Sequence, residues 1–81
     1  MMKGGSSILG KRLKLLRKLR ELTQEEISQS LGIERTRYSK WEKGVSEPNL
    51  KMLCRIADYF HVSTDYLLGR TNILTPPSWK K

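Results

Sequence analysis

Apolar residues along this chain recur at the three- and four-residue spacing of helices. Over residues 8–21, Leu9, Leu13 and Leu16 form one stripe, and Ile8, Leu15 and Leu19 form a second strip beside it. Thr23 followed by Glu26 is a capping box, in which hydroxyl and carboxylate reciprocally satisfy two backbone amides, so a second helix starts there. Its inner face carries Ile27 and Leu31 with the small Ser28, and Gly32 supplies the left-handed residue that ends it. A third helix is expected over 34–43. Pro48 and Asn49 then open a fourth, whose buried face reads Leu50, Leu53, Cys54, Ile56, Ala57 and Phe60. His61 stands where that helix would turn left-handed. Ser63 with Asp65 starts a last short helix that Gly69 stops. The pattern predicts an all-α fold of five helices forming a compact bundle.

The third helix separates its chemistry by face. At about 100° per residue, Tyr38 and Trp41 fall on one side, and Arg35, Thr36, Ser39, Lys40 and Lys43 lie within an arc of about 140° on the other. A solvated face can be any polar mixture. This one is cationic, rich in hydrogen-bonding groups, and follows a tight turn.

Composition narrows the partners. Eighty-one residues allow one small domain. Leu, Ile, Val and Phe supply about a quarter of them, above the share typical of disordered chains. The net charge of +8 calls for a polyanion, either nucleic acid or an acidic membrane surface. One cysteine excludes an internal disulfide, and one histidine with one cysteine cannot furnish a structural zinc site. Cys54 reads as inert core filler. No run of about 18 apolar residues could span a bilayer, and no signal-peptide core follows the first residues, so the expected location is cytoplasmic. No catalytic constellation, metal site or cofactor-binding loop can be assembled, so no enzyme is expected. Residues 1–7 read as a flexible leader, 8–69 as the domain, and 70–81, with Pro76, Pro77 and Trp79, as a tail without helix.

Residues 8–69 resemble the lambda-repressor-like (Xre/Cro) helix-turn-helix family. Its pattern asks for glutamine where this chain has Gln24, apolar residues at Ile27, Leu31, Ile33, Tyr38 and Trp41, a small residue at Ser28 and glycine at Gly32, and then has Glu42, Gly44 and Pro48 in order. The resemblance implies sequence-specific binding of double-stranded DNA, as a transcriptional regulator and a repressor in preference to an activator, by a homodimer on an inverted repeat. It places Arg35, Thr36, Ser39 and Lys40 at base-touching positions and Gln24 at a phosphate. Thr23, Lys43 and Ser46 are further phosphate candidates, with Arg37 on the flank. Arg17 and Glu42 match a structural salt bridge between the first helix and the recognition helix. Tyr66, Leu67, Leu68 and the tail are the expected dimer surface. Glu34 departs from the pattern, standing where Ser or Thr usually caps the recognition helix.

Two rival readings remain. In the family, the positions of Leu15 and Leu19 are more often polar. Either the tail covers them, with Trp79 as anchor, or they hold a protein partner, as in an antitoxin-like or accessory module with DNA binding secondary. The basic first helix could also suggest a membrane-surface peptide, but the sequence after it is a complete domain that needs this helix as its floor.

Overall fold

The computed structural model describes residues 7–74. Among them are five helices and no strand: α1 (Ile8–Leu19), α2 (Gln24–Leu31), α3 (Arg35–Lys43), α4 (Leu50–Phe60) and α5 (Thr64–Leu68). The chain forms two compact units, one ending at Glu47 and one beginning at Pro48, so the division falls inside the stretch expected as one domain. The proposed roles of Pro76, Pro77 and Trp79 lie outside the described residues, as do residues 1–6.

In the first unit each helix boundary has a local cause. Ser7, expected in the leader, instead caps α1: its hydroxyl accepts from the Gly10 amide at 2.9 Å. α1 stops at Leu19, two residues before the expected end, because Glu21 adopts a left-handed φ of 56°. The α2 capping box is complete, with Glu26 N donating to Thr23 Oγ1 at 3.0 Å and Thr23 N donating to Glu26 Oε1 at 2.8 Å. Gly32, at φ 73°, ends that helix. Ser28 is buried, and its hydroxyl is satisfied by the Glu25 carbonyl at 2.9 Å.

Leu9, Leu13, Leu16, Ile27, Leu31, Tyr38 and Trp41 are buried, and α3 packs against both α1 and α2. The edge-on contact of Tyr38 with Trp41, ring centroids 6.0 Å apart, fills the inner side of α3. One residue sets how closely α1 approaches. A Cβ on Gly10 would sit 2.5 Å from the Glu42 carbonyl oxygen and 2.8 Å from that of Trp41, so two helix backbones meet where no side chain fits.

In the second unit, Asn49 caps α4 through the Met52 amide at 2.8 Å and His61 closes it at φ 58°, both as expected. Two expectations fail on the buried face. Leu50 and Cys54 are exposed, whereas Leu53, Ile56, Ala57 and Phe60 are buried. The buried set spans about 100° of the wheel, and Cys54 lies roughly 110° from its centre and Leu50 roughly 70°. The stripe is narrower than the run of apolar letters. Cys54 is therefore no core filler. On α5, Tyr66 and Leu67, expected at a dimer surface, are buried in the protomer; of that trio only Leu68 is exposed. A five-residue helix holds its place only by burying most of its apolar side chains.

Gly10→Ala should destabilise the protein by about 1–3 kcal/mol, because the clash is with backbone that cannot rotate away. Urea unfolding followed by tryptophan fluorescence measures it; an unchanged midpoint would contradict the close approach of α1 to α3.

Candidate nucleic-acid interface

The site begins inside the protein, at a carboxylate. Arg17 on α1 donates from Nε to Glu42 Oε2 at 2.7 Å and from Nη2 to Oε1 at 3.2 Å, a bidentate fork. Its remaining nitrogen, Nη1, donates to the Leu22 carbonyl at 2.9 Å and so fixes the α1–α2 connection. Gln24, the first residue of α2, donates from Nε2 to the same Glu42 Oε1 at 3.0 Å. Glu42 thereby joins α1, α2 and α3 through one side chain. Only 12% of the Arg17 and 4% of the Glu42 side-chain surface is exposed, so removing either would strand a nearly buried charge.

Burial alone would push the Glu42 carboxyl up. Donation from Arg17 and the Gln24 amide, with the Tyr38 hydroxyl close by, outweighs it and holds the carboxyl below its ordinary value. Burial, with Glu42 adding to it, pushes the Tyr38 phenol well above its own, so it stays protonated. The Tyr38 oxygen is buried and lacks a well-formed hydrogen bond.

This scaffold holds α3 with its inner side chains buried and its outer ones in water. Arg35, Thr36, Lys40 and Lys43 are exposed and Ser39 is half-buried. Thr23, Gln24 and Ser46, expected at phosphates, divide. Thr23 and Ser46 are exposed, and Thr23 Oγ1 is engaged in the α2 cap. The Gln24 amide nitrogen is engaged with Glu42, a link that sequence reasoning missed. The Arg37 guanidinium lies 5.8 Å from the centre of the Trp41 ring, a cation–π contact on the flank of α3. Arg35 faces Glu25 of α2 at 3.9 Å, but both side chains are more than half exposed. Such a pair contributes about 0–1 kcal/mol and yields readily to a stronger anion.

Glu34 occupies the N-cap of α3 with extended backbone angles, but its side chain makes no cap bond. Gly44, at φ 78°, closes the helix, and the Val45 amide donates to the Lys40 carbonyl at 3.0 Å.

A helix-turn-helix family model matches residues 13–67. The chain belongs to the Xre/lambda-repressor-like helix-turn-helix family. It is 39% identical to the HTH-type transcriptional activator BcrR of Enterococcus faecalis over 79% of this chain and 31% of BcrR. It is 37% identical to the HTH-type transcriptional regulator ImmR of Bacillus subtilis (strain 168), over 80% of this chain and 51% of ImmR. The cryptic phage CTXphi transcriptional repressor RstR of Vibrio cholerae serotype O1 is 39% identical over 73% of this chain and 53% of its own. The chain thus spans between 31% and 53% of these relatives' lengths. No helix among the described residues is long and apolar enough to cross a membrane.

Because the folded-state pKa of Glu42 lies below its ordinary 4.5, its stabilising contribution is complete above that pH and is lost as pH falls through the folded value. Glu42→Gln should flatten this part of the acid limb of stability against pH, and should cost about 3–5 kcal/mol at neutral pH if Arg17 is left without its counter-charge. Urea titrations at stepped pH check both. Separately, Glu34→Ser should stabilise the fold by about 0.5–1 kcal/mol by supplying the missing cap, readable as a raised melting temperature.

Proposed function

We propose that this protein is a sequence-specific, cytoplasmic DNA-binding transcriptional regulator that lays α3 in the major groove. The observation that carries the reading is the division of α3: Tyr38 and Trp41 are buried, Glu42 is tied to α1 and α2, and the cationic side faces water. The major groove admits one α-helix and offers base edges that such side chains can read. Arg35 grips a guanine through its two parallel donors. Thr36 offers a hydroxyl or its methyl group to thymine, and Ser39 and Lys40 read one turn further along.

Lys43, Thr23, Ser46 and Arg37 serve the phosphates. Gln24 adds its second amide hydrogen, since one donor already goes to Glu42. One helix reads only a few base pairs, so the protein works as a homodimer on an inverted repeat with half-sites about 34 Å apart or a multiple of that. The exposed Leu68, Ile73 and Leu74 of the second unit are the candidate dimer surface. The similar proteins include an activator and a repressor by name. Repression needs only occupancy of an operator, and it is the reading preferred here.

Selection from random duplex DNA should enrich an inverted repeat, bound about ten-fold or more weakly for a few-fold rise in salt. On that site Arg35→Ala should lose about 1–3 kcal/mol and relax the preference at one base, whereas Lys43→Ala should weaken all sequences alike and lower the salt slope by about one. Uniform loss in both variants would remove Arg35 from the reading face. No enrichment at all would remove the function.

A further inference from the structure

We propose that the outer side of α1 is a docking seam for an amphipathic helix of an acidic partner protein. Ile8, Leu15 and Leu19 are 52%, 48% and 63% exposed, although α1 already buries Leu9, Leu13 and Leu16 in the core. With Arg12 they occupy positions 8, 12, 15 and 19, the alternating four- and three-residue steps of a helix-pairing seam. Lys11 and Lys18 fall at flanking positions beside that seam, from which pairing helices form salt bridges, and Lys14 extends the row. All three lysines are exposed and have no ion-pair partner among the described residues.

The occupant follows from this combination. Nucleic acid would satisfy the lysines and leave the apolar row in water. A bilayer boundary is matched by an apolar face of about 100° or more, whereas these three residues span about 40°. A second copy of α1 would set one lysine row against another and Arg12 against Arg12, which like-charge repulsion opposes. A helix with apolar residues opposite Ile8, Leu15 and Leu19, and carboxylates opposite Arg12 and along the edge that faces the lysines, meets every feature at once. The seam lies on the side of α1 away from α3, against which α1 packs, so such a partner leaves the face proposed for DNA uncovered.

The test uses the full chain and a synthetic peptide of three heptads, with leucine at the seam positions except for one glutamate to face Arg12, and glutamate at both flanks, where mutual repulsion keeps free peptides apart. The expected result is amide shifts confined to residues 8–19 and saturable binding. Leu15→Ser/Leu19→Ser should weaken binding about ten-fold or more, and Lys11→Ala/Lys18→Ala several-fold, with helical circular dichroism and DNA binding unchanged in both. Equal binding of a scrambled peptide of the same composition would overturn the proposal by making the contact non-specific. So would shifts centred on α3, association only with phosphatidylglycerol vesicles, or concentration-dependent self-association abolished by the leucine variant. DNA titration of the same variants separates failure of this seam from failure of the DNA-binding reading.

Discussion

The first unit depends on one carboxylate. Glu42 accepts from Arg17 twice and from Gln24 once, so side chains 25 and 18 residues away in sequence meet on two oxygen atoms. Burying a charge is unfavourable unless its lone pairs find donors, and here three do, two of them from a guanidinium. The geometry that results is directional. A hydrophobic core holds helices together but tolerates some rotation, whereas a bidentate fork and an amide aimed at the same group fix how α3 is turned about its axis. Turning α3 by one residue would carry Arg35 about 100° from its present direction. Control of that angle is what a reading face requires.

Gly10 supplies the complementary distance. With no Cβ, α1 can rest against the carbonyls of Trp41 and Glu42, and this closeness brings Arg17, two turns further along α1, within reach of the carboxylate. The hydrogen-bonded node and the helix contact are therefore one design: the missing side chain at Gly10 allows the approach, and the fork at Glu42 fixes its register. Arg17 uses its third nitrogen on the Leu22 carbonyl, so the same residue also sets where α2 begins.

Much of this was legible in the sequence because local chemistry dictated it. The Thr23–Glu26 box, the left-handed Gly32 and His61, and the Asn49 cap act over three or four residues, and each forms as expected. So does the partition of α3 into buried aromatic and exposed cationic sides, which needs only the helical period. What failed depended on quantities that a string of letters does not carry. Leu50 and Cys54 are apolar enough to bury but lie outside the roughly 100° that the core uses, and Tyr66 and Leu67 were needed inside rather than outside. The Arg17–Glu42 pair was read from resemblance, not spacing. The Gln24 link was missed because a glutamine gives no sign of where its amide turns, although the isolated Gly10 in a helical run was a usable signal of close packing.

The two sides of α1 show how a small domain can separate tasks. One side buries Leu9, Leu13 and Leu16 in the core and orients α3 through Gly10 and Arg17. None of these contributes a group to the proposed reading face, yet Gly10 and Arg17 set where that face points. The other side carries an apolar row that stands exposed among the described residues and that costs solubility unless something covers it. A residue that only oriented α3 would be buried, and one that only kept the protein soluble would be polar; Ile8, Leu15 and Leu19 are neither. Their spacing matches a helix-pairing seam and their lysine border fixes the sign of the partner, so the exposed row is better explained as a contact than as leftover surface.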